Sequence, residues 1–333
     1  MKNCLVGLSA QSDFPENILQ TPEFIEIKKI TPLETSFFRD NTQKPVYFHI
    51  QYNGNGGYLL PTADNFSDYL AEFSEAYRIA KPALVSFHFG LSAKIIHVDS
   101  ETFVAKACSP PFTREGIVSR LGHNLRFSRT VFQESRILLE NMEFIPEELS
   151  KGAYRYIQDA DFFSQNIHRF IEMGILDGMV LDIAHALIAA ANHPVYNGLE
   201  NINSDSKHFD PVRTGRRYIG SLAKYQNDID ILGSFKKYVK LLPVELIREI
   251  HISGIHRLQN GVYVDSHNEI SRLELEALDF LLDILPVDGD DRVSVTLEYA
   301  RDPGRIPDQI KTLKKFCNAK WRRPLHGRVS KIT

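Results

Sequence analysis

Residues 178–193 read GMVLDIAHALIAAANH. An apolar run rich in Met, Val and Leu reaches a carboxylate, Asp182, and three residues later a histidine, His185. The run predicts a buried strand over 178–184. An ionisable group at the carboxyl end of such a strand is what a parallel sheet offers to a site. Working outward, the pattern recurs at 5–10, 24–30, 46–52, 83–90, 136–141, 248–254 and 293–300. Amphipathic stretches at 65–80, 113–134, 159–173, 220–242, 271–284 and 308–316 predict helices between several of these runs. Lys81-Pro82 ends the first of them, and Thr113 offers a cap to the second, with Glu115 nearby. Eight strands that mostly alternate with helices predict an α/β fold, a (β/α)8 TIM barrel. A doubly wound sheet is the rival, but no GxGxxG or GxxxxGK[ST] follows a strand. The glycine-rich residues 53–57 (NGNGG) fit neither phosphate motif and read as a turn.

One barrel domain over 1–312 accounts for the pattern, with insertions near 91–111 and 193–218. Both insertions follow strands, on the face where barrel enzymes keep their sites, so both are lid or substrate-loop candidates. Residues 313–333 form a basic C-terminal extension holding the single Trp321. A chain of 333 residues, 43% hydrophobic, can bury a sizeable core. A net charge of -3 gives no broad reason to bind nucleic acid or an anionic membrane. No apolar run approaches the roughly 20 residues of a membrane helix, and the opening MKNCLVGLSAQSDF is a poor signal peptide. The expected location is cytoplasmic. The 3 cysteines (Cys4, Cys108, Cys317) form no CxxC and cannot all pair, which leaves them as buried hydrophobes or bystanders. Set against 12 histidines, they tilt any metal chemistry toward nitrogen and oxygen ligands, and so toward iron, manganese or zinc.

Chemistry-bearing residues gather at strand ends. His49 lies in PVYFHIQY, His88 in LVSFHFG, Glu140 closes RILLEN, and Asp182 closes GMVLD with His185 beyond it. His251 lies in EIHISG and Glu298 in VTLEYA, while Asp265 and His267 form a D-x-H unit on a hairpin-like segment. In a parallel barrel those ends converge on one mouth. Alternation puts Ser86 and Gly90 with His88, Thr296 and Ala300 with Glu298, and Glu249 and Ser253 with His251. Val85, Phe87 and Phe89, and likewise Val295, Leu297 and Tyr299, would pack under the helices. A single histidine or acid at a strand end is usually a hydrogen-bonded structural residue. Nine such groups buried together would cost several kcal/mol each without compensation. Cations are the simplest compensation, and so many ligands exceed what one ion needs. Two or more ions are expected. His97, His123, His168, His208 and His326 read as exposed. Asn141, Asn192, His193 and His256 are candidates for orienting ligands or touching substrate.

The ordered motifs VGLSA, LVSFHFG, SPPFT, ILLEN, MVLDIAHALIAAANH, EIHISGIH, VDSHNEI and TLEYA resemble the multinuclear non-haem iron-dependent oxidative enzymes. These are TIM-barrel proteins, xylose-isomerase-like in fold, that modify peptide natural products. The resemblance carries the family's metal ligands over to His49, His88, Glu140, Asp182, His251, Asp265, His267 and Glu298. His185 stands where many members have Asn, and is similar in this to the methanobactin-forming branch. Members commonly have Glu where this chain has Phe87. The resemblance implies an O2-dependent oxidation of a ribosomally made precursor peptide at Cys, giving products such as an oxazolone-thioamide. It implies two or three irons in mixed Fe(II)/Fe(III) states and a catalytic part for Asp182, His185 and Asp265. It also implies a small partner protein that recruits the peptide leader; residues 193–218, with Arg213 to Arg217, and the tail are candidate contacts. The main alternative is a divalent-metal sugar isomerase or endonuclease of the xylose-isomerase-like group. Another is a non-catalytic barrel scaffold.

Overall fold

A computed structural model describes residues 4–52, 58–99, 104–193, 230–259, 261–286 and 293–321. Eight parallel strands close a barrel: β1 (Leu5–Ser9), β2 (Ile25–Ile27), β3 (Val46–Ile50), β4 (Leu84–His88), β7 (Arg136–Glu140), β8 (Gly178–Asp182), β9 (Ile247–Ile252) and β12 (Ser294–Leu297). All eight predicted runs are barrel strands. The two intervening pairs form hairpins, β5 (Ile96–Val98) with β6 (Ala105–Ala107), and β10 (Gly254–Arg257) with β11 (Tyr263–Asn268). The first strand closes on the last, Leu5 pairing with Ser294.

Alternation along each strand separates two cores. Val85, Phe87, Phe89, Val295, Leu297 and Tyr299 pack outward into the layer shared with the helices, as expected. Inside the barrel, Phe24, Tyr47, Leu84, Leu138 and Val180 form a separate apolar plug at the amino-terminal end. The rings of Phe24 and Tyr47 stack at 4.4 Å. Gly7 makes room for that plug, since a β-carbon there would lie 2.2 Å from the Phe24 ring. Two residues further along each strand the interior turns polar: Glu26 follows Phe24, His49 follows Tyr47, Ser86 follows Leu84, Glu140 follows Leu138 and Asp182 follows Val180. The barrel therefore buries its hydrophobes at one end and its titratable groups toward the other.

Helix starts follow capping chemistry. The Thr113 hydroxyl accepts from the Gly116 N–H at the head of Arg114–Val131, and Asp159 caps Ala160–Glu172. Ser271 and Glu274 close a capping box on Arg272–Ile284. Two expectations change. The strand predicted over 178–184 ends at Asp182, and a helix, Ile183–Asn192, follows at once. Its ten residues, IAHALIAAAN, are all buried, so there was no polar face to mark a helical period. The final helix, Ile306–Trp321, runs beyond residue 312 and seats Leu313 and Cys317 in the core. The insertion near 91–111 carries the β5–β6 hairpin. Residues 53–57, 194–229 and 322–333 lie outside the described residues, and with them the glycine-rich turn, His208, His326, nearly all of the 193–218 insertion and the tail beyond Trp321. No described helix is long and apolar enough to cross a membrane.

Candidate metal centre

Glu140, the last residue of β7, stands at the middle of the group. Its Oε2 lies 3.3 Å from His251 Nδ1 and 3.6 Å from His49 Nδ1, and its Oε1 lies 3.7 Å from His88 Nε2 and 3.2 Å from His185 Nδ1. The imidazoles are held from behind. His49 Nδ1 lies 2.9 Å from Ser86 Oγ, whose hydroxyl is donated to the Phe48 carbonyl, so His49 Nδ1 carries the proton and its Nε2 is a free lone pair. His251 Nε2 lies 3.0 Å from Glu26 Oε2, which leaves Nδ1 facing Glu140 and, at 3.3 Å, Glu298. An outer carboxylate behind a histidine is the usual arrangement for orienting a metal ligand.

Asp182 serves twice. Its Oδ1 accepts from the His185 N–H at 2.7 Å and caps the helix that follows, while Oδ2 is buried and unpartnered. Asn141 brackets the same residue, accepting from the Asp182 N–H at 2.8 Å and donating to its carbonyl at 3.3 Å. The Asn141 backbone carbonyl holds His185 Nδ1 at 2.8 Å. Asp265 and His267 come from β11. The β10–β11 register jumps from Gly254↔Asn268 to Ile255↔Asp265, so Ser266 and His267 are bulged, with His267 in the left-handed region at φ 45°. Gly254 tolerates the bulge because a β-carbon there would meet the Glu269 carbonyl oxygen at 2.3 Å. The bulge brings His267 Nδ1 to 3.4 Å from Glu298 Oε2 and Nε2 to 3.1 Å from Asp265 Oδ2.

All nine predicted ligands thus gather at the carboxyl ends of the strands. Three groups of ligand atoms are close enough to share an ion: Glu26, His49 and His251; His49, His88 and Glu140; and Glu140, Asp182 and His251. The second-tier candidates divide. Asn141 orients ligands, as described. Asn192 donates to the Phe144 and Tyr263 carbonyls and accepts from the Tyr263 N–H, so it fastens the β10–β11 hairpin to Ile183–Asn192 rather than touching substrate. His193 is buried edge-on against Phe144, with its pKa pushed down to about 3 by burial, and His256 is exposed; neither borders the cavity. Phe87 faces away from the centre, against Phe66 and Phe132. His97, His123 and His168 are exposed, as expected.

Five residues of the site went unread in the sequence, or were read only as neighbours: Glu26, Lys28, Glu143, Tyr154 and Glu249. Glu26 and Lys28 share an alternating face with Phe24, and a carboxylate inside an apolar strand was the available signal. Lys28 Nζ lies 2.6 Å from Glu298 Oε1. Glu249 was placed beside His251, and it accepts from the Thr296 hydroxyl at 2.6 Å. Glu143 and Tyr154 lie beyond the strand in irregular chain, where no period marks them.

Burial governs the electrostatics. It pushes Asp182 up to about 8 and Glu26 up to about 7, each partly opposed by a neighbouring histidine. It pushes His49 well down and His88 down to about 4, so both are neutral donors at pH 7. Burial would also raise Glu140, but His88, His251 and His49 hold it well below the usual carboxylate range; Lys28, His251 and His267 do the same for Glu298. At His185 burial is outweighed by Asp182 and Glu143, and at His251 by Glu26 and Glu298, so both rise. Buried atoms without a hydrogen bond remain on Glu26, His49, Glu140, Glu143, Asp182, Glu249 and His251. That many orphans cost far more than one ammonium can offset. Imidazoles beside carboxylates are the donor set a transition-metal ion takes, and its binding would displace the protons that the raised groups hold. The residues fit metal ions.

No protein-family model matches this chain, and no curated protein matches it in sequence. Among solved structures, it is similar to endonuclease IV from Thermus thermophilus, at 14% identity and a TM-score of 0.52 over 95% of this chain and 99% of that one. It is also similar to a xylose isomerase-like TIM barrel protein from Mycobacterium smegmatis in complex with magnesium, at 10% identity and a TM-score of 0.48 over 96% and 98% of the two chains. The likeness is one of fold. The chain is a (β/α)8 barrel with a candidate metal centre at its mouth.

Proposed function

We propose that this protein is a multinuclear metal-dependent oxidase that modifies a ribosomally made peptide at Cys, using iron and O2. The observation that carries the multinuclear part is Glu140, a carboxylate common to the groups of His49 and His88 and of Asp182 and His251, whose two oxygens suit ions close enough to act together. The oxidative part rests on the ordered motifs and their resemblance to the iron-dependent family. Bound iron would supply the redox chemistry and a Lewis-acidic site for a thiolate. The chain's own residues hold the ligands in fixed tautomers and keep Glu140 ionised. They also border a cavity of about 1060 Å³, lined by Tyr52, Tyr58, Leu91 and Tyr299, with Lys29 and Arg301 adding positive charge. That volume is at the upper end for small-molecule pockets, about 300–1,000 Å³, and suits a peptide segment. A small partner protein that delivers the peptide belongs to this reading.

The fold likeness to endonuclease IV favours a second reading, a divalent-metal endonuclease or sugar isomerase. The full chain, purified without oxygen, separates the two. Two or more equivalents of iron, with O2 uptake that requires a Cys-bearing peptide, are expected. A zinc or manganese protein that takes up no O2, and that nicks duplex DNA or interconverts an aldose and a ketose, would overturn the oxidase in favour of the second reading.

A further inference from the structure

The cavity is unevenly charged. Every described lysine and arginine that borders it (Lys28, Lys29 and Arg301) follows β2 or β12, the two strands that flank β1 in the barrel. Across the barrel, behind β4 and β7, the wall is apolar, built from Leu91, Val98, Met142 and Ile145. We infer that Lys28 and Arg301 form a seat for a substrate carboxylate, beside the metal centre and opposite the apolar wall.

Spare donors point to it. Lys28 reaches past the end of β1, where Ser9 and Ala10 are small, and puts Nζ 2.6 Å from Glu298 Oε1. An ammonium carries three N–H donors, and Glu298 takes one. Glu26, on the same strand, takes none, because both of its oxygens lack a hydrogen bond. No other described residue pairs with Lys28, whose side chain is only 20% exposed, so its remaining donors turn to the cavity it borders. Arg301 leaves the chain just beyond Glu298. Its Nε donates to the Ser266 carbonyl at 3.0 Å, which moors the guanidinium to the β10–β11 bulge. The rest of its five N–H donors stay open, in the planar fork that matches a carboxylate. The acids on this wall do not fill the seat: Glu34 Oε1 accepts from the Ser12 N–H at 3.1 Å, and Asp13 is exposed. A single negative charge suits the place better than a phosphate dianion, which would meet twice the repulsion from Glu298 and Asp265. Filled, the seat would lay an extended chain across the metal centre in one direction, with its apolar side chains on the far wall.

The inference rests on the peptide reading and names what that peptide carries near its Cys: the carboxylate of an acidic side chain or of its own C-terminus. Acetylated probe peptides separate the two sources. Phe-Cys-Asp amide is compared with Phe-Cys-Asn amide, and Phe-Cys with a free carboxylate is compared with its amide. Binding to the full chain is read by calorimetry without oxygen. At least one acid should bind about tenfold or more tighter than its amide, since a hydrogen bond to a charged group is worth that much. Lys28→Met should erase the preference. Equal binding of acid and amide in both pairs, or a preference that survives Lys28→Met, would overturn the seat. Should Lys28→Met not fold, Arg301→Gln changes an exposed residue. A preference reduced about threefold or more then supports the seat, and an undiminished one removes it. Succinate and inorganic phosphate test the seat apart from the peptide. If no peptide binds but succinate does, and the same variants abolish it, the peptide reading fails and the seat stands. If succinate fails as well, or phosphate binds more tightly than succinate, the carboxylate seat falls.

Discussion

Asn141 does not border the cavity, yet it sets two of the candidate ligands. Its side chain clasps the Asp182 peptide and its carbonyl fixes the His185 tautomer. Asn141→Ala removes two buried hydrogen bonds and should cost about 1–3 kcal/mol of stability. It should also lower metal affinity about 10–100-fold, because an orienting group behind a ligand is worth that much. Thermal melts and metal titration check both; unchanged affinity would make Asn141 a plain packing residue. The raised groups set a pH dependence as well. Glu26, Asp182, His185 and His251 all hold protons more tightly folded than unfolded. Their contribution is present at low pH and is lost as pH rises through the folded values. His49 and His88, pushed down, are neutral in both states above about pH 6.5 and add no slope there. The metal-free protein should therefore lose stability between about pH 6.5 and 8. A melting temperature that climbs over that window would show the groups to be assigned wrongly.

At the scale of elements, strands were legible and the helix that matters most was not. Each barrel strand pairs an apolar outward face with a polar residue at its mouth, and that contrast is local in the sequence. Ile183–Asn192 is buried on every side and offers no contrast. The β10–β11 bulge was equally hidden, since a register jump belongs to the pairing of two segments and not to either alone. Asp265 and His267 could be named from the D-x-H spacing, but not how they reach the centre. Glu143 was missed because it stands in chain without a period. Asn192 joins the unread helix to the unread bulge. Asn192→Ala should free the hairpin that carries Asp265 and His267 and weaken cobalt binding to the metal-free full chain tenfold or more, with far-ultraviolet circular dichroism unchanged. Undiminished binding would mean that the hairpin is held by other contacts.

For the whole molecule, the decisive feature is the change of polarity along the barrel axis. Phe24→Ala opens the apolar plug and should cost about 3–5 kcal/mol in urea unfolding. Metal stoichiometry should stay the same, because the plug lies at the far end from the ligands. A lost equivalent would show the two ends to be coupled. Stripping metal with a chelator should lower the melting temperature, since an ion that binds only the folded barrel stabilises it by mass action. Indifference to the chelator would sever the centre from the fold's stability. The pairing of Leu5 with Ser294 has a consequence in time. On the ribosome the first strand emerges with one flank open, and that flank stays open until β12 is released. Glu298 arrives with β12, so a nascent or truncated chain cannot assemble the full set of donors. Metal loading becomes a checkpoint that only finished chains pass.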